Sequence, residues 1–173
     1  MRLIQPPATL IMNPSEPKDF PLGRWNLYVG GAGRVVEGYV NIDLFAVPGV
    51  DVAGNAENLP FASGVFQRVE CDAVLEHVEN PTEVMAEIER VLAPGGYVHL
   101  VVPFCHPFHA YPKDYRRFTL DGLKQLAGSL EVVAEGWRGW LLFPFRYIDV
   151  LLLRSPDDHR IGNHCYIWFR KPA

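Results

Sequence analysis

The feature of this sequence that most restricts its fold is an alternation of short apolar runs with segments of helical periodicity. The first runs end in glycine or polar residues, as at Gly30 and Asp43. Residues 97–102 are continuously apolar, which is typical of a strand buried on both faces. The runs predicted as strands are 25–29, 39–44, 50–52, 66–71, 97–102, 130–135 and 165–169. This order predicts an α/β fold with a mainly parallel sheet, whose ligands bind at the carboxyl ends of the strands.

Two segments between the apolar runs have the properties of helices. Residues 81–92 carry apolar side chains on one face and charged ones, including Glu87 and Arg90, on the other. Residues 119–127 begin with Thr119, a favourable capping residue. We therefore predict a helix over each segment, both packed on the sheet.

The connection between the first two predicted strands is unusually short. Only residues 34–39 separate the glycine-rich loop from the second strand, whereas a parallel crossover needs about a dozen residues or more. Residues 1–22 contain five prolines and predict an irregular N-terminal arm, followed by a single domain over 23–173. We expect that the first crossover helix is reduced to a turn and that the arm fills its place.

The composition excludes several classes of protein. The chain has 173 residues, a net charge of −4 and three cysteines without a CxxC pair. This balance gives no electrostatic reason to bind nucleic acid, and the cysteine spacing argues against a disulfide framework and for a reducing, cytoplasmic setting. The apolar stretch 141–153 contains proline and charged residues and is too short to span a membrane. Residues 104–173 carry a net charge of +3, which reflects either chance scatter or an anionic substrate.

Two features at predicted strand ends point to a nucleoside ligand. Glycines after the first strand permit a tight turn and the close approach of a ligand to the backbone. Asp43 ends the second strand, where a carboxylate can accept hydrogen bonds from both ribose hydroxyls. Residues 55–61 combine an amide, a small residue, an acid and apolar residues, which suits an adenine site. Each feature also has an ordinary structural interpretation, but together they favour a nucleoside.

Three motifs, in order and at fitting spacing, resemble those of a known family. They are Asn55 to Phe61, the run VLEHV over 74–78, and the run EIERVLAPGG over 87–96. They resemble class I S-adenosylmethionine-dependent methyltransferases of the small type 11 branch. The resemblance covers residues 27 to about 103. A second stretch, 106–119, resembles a segment of some type 11-like proteins.

The resemblance implies a Rossmann-like, doubly wound sheet with a final antiparallel strand and S-adenosylmethionine as cofactor. It implies that the glycine-rich loop wraps the methionine part, that Asp43 holds the ribose and that Asn55 and Ala56 address adenine. The predicted cofactor-binding residues are Gly30, Gly31, Ala32, Gly33, Asp43, Leu44, Asn55, Ala56, Glu57, Cys71 and Asp72. The sequence departs from the family where Tyr28 replaces an acid, Ala32 a glycine and Asn55 an aspartate.

The catalytic candidates are His106 and His109, in a proline-rich loop after the strongest strand. Either could act as a general base near neutral pH, or both could be structural. A metal site built from Cys105 and these histidines would need further ligands, so we predict none. The predicted substrate-contacting residues are His77, Tyr115, Arg116 and Arg117, and the arginines suit phosphate or carboxylate. Glu76 is interpreted as structural, bonding the backbone near the glycine-rich loop.

The expected function is methyl transfer to a hydroxyl or amine of a small-molecule or glycan-type acceptor. Two alternatives are an inactive protein that binds S-adenosylmethionine or S-adenosylhomocysteine and, less consistent with the motifs, a nicotinamide-dependent oxidoreductase. The aromatic cluster between Trp137 and Tyr147 is either core packing or an apolar surface for a homo-oligomer or substrate.

Overall fold

The computed structural model describes residues 20–138 and 164–173, and within them the chain forms a seven-stranded sheet. The strands are β1 (Asn26–Val29), β2 (Tyr39–Asp43), β3 (Val52–Ala53), β4 (Phe66–Asp72), β5 (Leu92–Pro103), β6 (Glu131–Arg138) and β7 (His164–Arg170). Their order is β3-β2-β1-β4-β5-β7-β6. Strands β1 to β5 pair in parallel, and β7 pairs antiparallel with both β5 and β6. The predicted Rossmann-like sheet with a final antiparallel strand is confirmed.

Helix α1 (Pro81–Val91) and helix α2 (Leu120–Leu126) pack on the same face of the sheet. Pro81 stands at the start of α1, where its missing N–H costs nothing. The Thr119 side chain accepts a hydrogen bond from the Gly122 N–H at 3.0 Å, so it caps α2 as its residue type predicts. The apolar face of α1 is fully buried against β1, β4 and β5, and this contact forms the main core.

The connection between β1 and β2 contains turns and no helix, which confirms the predicted reduced crossover. Parallel strands joined by so few residues bring the glycine-rich loop directly against the end of β2. The Gly30 N–H donates to the Ile42 carbonyl at 2.8 Å, and this bond closes the loop onto the neighbouring strand.

The opposite face of the sheet carries aromatic and charged side chains. His99 stacks on Trp168 with ring centroids 4.2 Å apart, and its Nδ1 lies 2.6 Å from Glu70, which also pairs with Arg68. Phe20 packs on Trp168 at 4.6 Å. Residues 1–19 of the predicted arm lie outside the described residues, as do 139–163, which include most of the predicted aromatic cluster. Among the helices of the described ranges, none has the length and apolarity needed to cross a membrane.

Candidate functional site

A cleft opens where β1 and β2 end, next to the connection between β4 and α1. Its cavity volume is about 210 Å³, and the cleft is partly open to solvent. Predicted cofactor-binding residues in its wall are Gly30, Ala32, Asp43, Leu44, Asn55 and Ala56, and the predicted substrate residue His77 also lines it. The cleft therefore lies at the strand ends where parallel sheets bind ligands.

The backbone around the cleft is held in an uncommon conformation. Gly30 has a φ of 71°, and a Cβ on it would meet a Val74 methyl at 2.2 Å, so this position needs glycine. Ala32 and Ala73 also have positive φ, 48° and 55°. They are the two non-glycine residues of the described ranges with this feature, and both line the cleft. Backbone strain of this kind concentrates at functional sites.

Asp43 joins the glycine-rich loop to the end of β2. One carboxylate oxygen accepts the Ala32 N–H at 2.9 Å, and the other accepts the Phe45 N–H at 3.0 Å. A carboxylate has about four acceptor positions, so these two bonds orient the group and leave lone pairs for a ligand. The arrangement can accept hydrogen bonds from two adjacent hydroxyls.

Asn41, which the sequence reasoning did not single out, organises the loop from beneath. Its buried amide nitrogen lies 2.9 Å from each of three carbonyl oxygens, those of Ala32, Arg34 and Gly49. A Cβ on Gly31 would lie 2.3 Å from the Asn41 side-chain oxygen, which explains the glycine there. An amide inside an otherwise apolar strand was the one available signal for this role.

Asn55 and Glu57 build the turn that forms the far wall. The Asn55 side chain accepts the Glu57 N–H at 3.0 Å, as in an Asx turn. The Glu57 carboxylate accepts the N–H of Asn80 at 2.9 Å, immediately before α1. Glu57 therefore ties this turn to the start of the helix and does not line the cleft.

Two charged residues of α1 hold the loop that follows this turn. Glu87 accepts the Leu59 N–H at 2.7 Å, and Arg90 donates to the carbonyls of Leu59 and Phe61 at 2.9 and 2.7 Å. Glu87 and Arg90 also form an ion pair at 2.7 Å. The Arg90 guanidinium and the Leu59 N–H lower the pKa of Glu87. The first and third sequence segments that carried the resemblance, 55–61 and 87–96, thus contact each other: the helix supplies hydrogen-bond partners for the backbone of the loop.

The remaining predicted cofactor residues lie behind the cleft wall or beside it. Cys71 is buried in the core, and burial raises the pKa of its thiol. Asp72 pairs with Arg34 at 3.4 Å, and Arg34 also donates to the Tyr28 hydroxyl at 2.6 Å. Gly31 and Gly33 belong to the loop without lining the cleft.

A second group of side chains meets beside the cleft. Glu76, which is fully buried, lies with one carboxylate oxygen 3.6 Å from Nε2 of His77 and 3.5 Å from Nε2 of His109. Neither oxygen has a hydrogen-bond partner within residues 20–138 and 164–173, and burial raises the pKa of this carboxyl. The expectation that Glu76 bonds the backbone near the glycine-rich loop is therefore wrong. His77 belongs both to this group and to the cleft wall.

The loop 106–117 is fixed largely by Arg117. Its guanidinium pairs with Asp114, lowering the pKa of that carboxyl, and donates to the carbonyls of His106 and Pro107. Through these bonds, Arg117 stabilises the conformation of the loop. The Tyr115 hydroxyl donates to the Glu79 carboxylate at 2.8 Å.

The other predicted residues of this loop make local contacts. Arg116 donates to the Glu79 carbonyl at 3.0 Å. His106 lies with its ring centroid 4.6 Å from that of His109 and with Nδ1 3.0 Å from the Pro107 carbonyl. Neither Arg116 nor His106 lines the cleft. Of the two predicted catalytic histidines, the structure places only His109 beside His77.

Comparison with known proteins identifies the fold and the central segment. Residues 39–100 match the family described as a methyltransferase domain, in its type 11 form. A demethylmenaquinone methyltransferase of Renibacterium salmoninarum is 32% identical over 102 residues, which make up 54% of this chain and 43% of that protein. The chain thus spans less than half the length of this curated relative.

Two solved structures have the same fold. A protein of Bacillus halodurans described as a candidate methyltransferase has a TM-score of 0.64 at 16% identity, covering 90% of this chain and 95% of that one. A Burkholderia thailandensis 1,6-didemethyltoxoflavin-N1-methyltransferase, solved with S-adenosylhomocysteine and its substrate, has a TM-score of 0.60 at 17% identity. The latter match covers 86% of this chain and 71% of that one.

Proposed function

We propose that this chain is a class I methyltransferase of the type 11 kind, which transfers a methyl group from S-adenosylmethionine to a small-molecule acceptor; the match of residues 39–100 and the shared fold support this. The observation that carries the proposal is the open cleft at the ends of β1 and β2, whose wall presents the Asp43 carboxylate beside a glycine-rich loop. This wall lies partly within the segment that matches the family.

The residues around the cleft fit the cofactor. Asp43 retains free lone pairs for the two ribose hydroxyls, because its backbone bonds use only part of its accepting capacity. Gly30 and Ala32 bring the backbone to the cleft surface, where the methionine part would lie. Asn55 and Ala56 line the far wall and would contact adenine. Cys71 and Glu57 would act indirectly, through the core and through the start of α1.

S-adenosylmethionine supplies a methyl group on a positively charged sulfur, which is already activated for in-line displacement. The work left to the protein is therefore alignment of an acceptor atom with that methyl group. His77 lies in the cleft wall, and Phe45 and Tyr111 meet at the cleft with ring centroids 5.7 Å apart. These three side chains would contact the acceptor, for which we propose a hydroxyl or amine on a small-molecule or glycan-type compound.

The test of the cofactor site compares two acidic residues of the same region. Asp43→Asn should weaken binding of S-adenosylhomocysteine about 10- to 100-fold, because charge-assisted bonds are each worth about 1.5–3 kcal/mol. Asp51→Asn is the matched control, since Asp51, which follows β2, also accepts a backbone N–H, that of Asn41 at 2.8 Å, but does not line the cleft. Isothermal titration calorimetry measures both affinities. Equal affinities for the two variants would place the ribose elsewhere.

The alternative of a cofactor-binding protein without transferase activity is favoured by one observation. Tyr28 stands where the family has an acidic residue, and Arg34 donates hydrogen bonds to the Tyr28 hydroxyl and to Asp72 beside the loop. Mass spectrometry of reactions with a panel of hydroxyl and amine acceptors separates the two proposals. S-adenosylhomocysteine binding without turnover on any acceptor class would support the alternative.

A further inference from the structure

Glu76, His77 and His109 place three potential metal-ligand atoms around one point. One Glu76 oxygen and the two histidine Nε2 atoms all lie within 4.8 Å of one another, and the two glutamate–histidine distances are 3.6 and 3.5 Å. Two ligand atoms of a tetrahedral zinc site, each about 2.0–2.1 Å from the ion, lie about 3.3–3.4 Å apart. The two glutamate–histidine distances are therefore only slightly longer than the distance between two ligand atoms of an occupied zinc site.

The hydrogen bonds of the two rings determine which nitrogen is free. Nδ1 of His77 contacts the carbonyl oxygen of Lys113, and Nδ1 of His109 contacts the Pro107 carbonyl at 3.0 Å and an Asp114 oxygen at 3.4 Å. All these partners can only accept, so in each neutral ring Nδ1 carries the proton and Nε2 presents a lone pair. Metal-bound histidines are oriented by this same contact from their other nitrogen.

Three lone pairs then face one another without a hydrogen between them. The Glu76 side chain is fully buried, and both its oxygens lack hydrogen-bond partners among the described residues. A single proton can bridge Glu76 to one histidine only, and protonating both rings would place two positive charges side by side. A divalent cation would satisfy all three groups at once.

We propose that Glu76, His77 and His109 bind a divalent first-row transition metal ion such as Zn²⁺. Two imidazoles and one carboxylate suit such an ion better than Mg²⁺, which prefers oxygen ligands. Three protein ligands leave at least one coordination position for water or for a further ligand. The sequence analysis considered only Cys105, His106 and His109 and predicted no metal site, because Glu76 and His77 reach the loop only in the folded chain.

The site also gives the proposed function a more specific acceptor. His77 is shared between the metal ligands and the cleft wall, so the ion lies at the edge of the cleft. Its open position would select an acceptor with an oxygen or nitrogen donor next to the methylated atom. This second part rests on the proposed function, whereas metal binding itself does not.

The experiment measures zinc binding to the full chain after treatment with a chelator. Wild-type protein should bind one Zn²⁺ per chain, and Mg²⁺ should not compete. His109→Ala should lower zinc affinity at least about 100-fold, since even partners behind a ligand account for about 10- to 100-fold. His106→Ala is the matched control, because His106 lies next to His109 in the same loop but outside the cluster. It should leave zinc affinity within about twofold of wild type.

Glu76→Gln separates a lost ligand from a lost fold. The glutamine NH₂ can donate to a histidine Nε2, so the metal-free variant should melt no lower than metal-free wild type while losing the stabilisation by zinc. Failure of wild type to bind zinc, or equal loss in His106→Ala, would overturn the site. S-adenosylhomocysteine affinity measured on the same proteins keeps the two proposals apart: zinc binding without nucleoside binding would refute only the proposed function.

Discussion

At the scale of single residues, Asn41 determines whether the glycine-rich loop keeps its shape. Its amide nitrogen is the donor that reaches the carbonyls of Ala32, Arg34 and Gly49. Asn41→Ala removes this donor from three part-buried hydrogen bonds, so the free energy of unfolding should fall by about 1–3 kcal/mol. Urea denaturation measures the change. Asn58→Ala, at an exposed amide in a neighbouring loop, is the control and should stay within about 0.5 kcal/mol of wild type.

In the same loop, a substitution of Ala32 should change the stability in the opposite direction. Its φ of 48° is costly for a residue with a Cβ by about 1–2 kcal/mol, while glycine costs about 0.5–1 kcal/mol in unfolded-state entropy. Ala32→Gly should therefore raise the free energy of unfolding by about 0.5–1 kcal/mol in urea denaturation. Gly38→Ala should lower it by about 1 kcal/mol, because Gly38 has a φ of 82° with open space around it. A loss of stability in Ala32→Gly would show that the alanine Cβ contributes packing that outweighs its strain.

The residue types in the sequence predicted where the cleft lies, but they did not predict the side-chain contacts that support it. Asp43 was expected at the cleft because it ends a strand that follows a glycine-rich loop, and it does line the cleft. Asn41 was not identified, because its partners come from three separate stretches of the loop region. Glu76 was misinterpreted for a similar reason: the loop carrying His109 reaches it only after folding, 33 positions later in the chain.

At the scale of elements, α1 controls the far side of the cleft through Glu87. Its carboxylate accepts the Leu59 N–H and pairs with Arg90, and these contacts lower the pKa of Glu87 below its ordinary 4.5. Since the folded-state pKa is the lower one, the stabilisation is fully present above about pH 4.5 and is lost as the pH falls through the lowered pKa. Wild type should exceed Glu87→Gln in unfolding free energy at pH 7, and the difference should shrink below pH 4.5.

Chemical denaturation between pH 3 and pH 7 measures this difference. Glu83→Gln is the matched control, because Glu83 is an exposed glutamate in the first turn of the same helix. At pH 7, Glu83→Gln should lower the free energy of unfolding less than Glu87→Gln does, because Glu83 is exposed. A constant difference between wild type and Glu87→Gln across the range would contradict the assignment of an ionised, bonded carboxylate.

Element types followed from periodicity, and their exact ends did not. Helix α1 ends at Val91, one residue before its predicted end, since Leu92 already has extended backbone angles. Strand β6 runs from Glu131 to Arg138, beyond the predicted 130–135, because pairing with β7 continues to Arg138. The reduced first crossover was predictable from chain length alone. The contact of α1 with the 59–61 loop was not, since Glu87 and Arg90 have the pattern of a solvent-facing helix surface.

At the scale of the whole molecule, the two proposed sites share one connection. Residues 73–80 join β4 to α1, and they supply Ala73, Val74 and His77 to the cleft and Glu76 and His77 to the cluster. In the two proposals, the carboxyl ends of β1, β2 and β4 would thus serve a nucleoside on one side and a cation on the other. A parallel sheet places these ends at one edge, so the strand order explains why the two proposed sites lie next to each other.

Binding of a ligand at the proposed nucleoside site should raise the free energy of unfolding of the whole chain. A ligand that binds only the folded protein, at 100 times its dissociation constant, adds about 2.7 kcal/mol to the free energy of unfolding. S-adenosylhomocysteine should therefore raise the melting temperature, while NAD at the same concentration should not, because the motifs that resemble methyltransferases have no role in hydride transfer. If Asp43→Asn binds tenfold more weakly, the same S-adenosylhomocysteine concentration adds only about 1.4 kcal/mol. A larger shift with NAD than with S-adenosylhomocysteine would assign the cleft to the oxidoreductase alternative, whatever the fold.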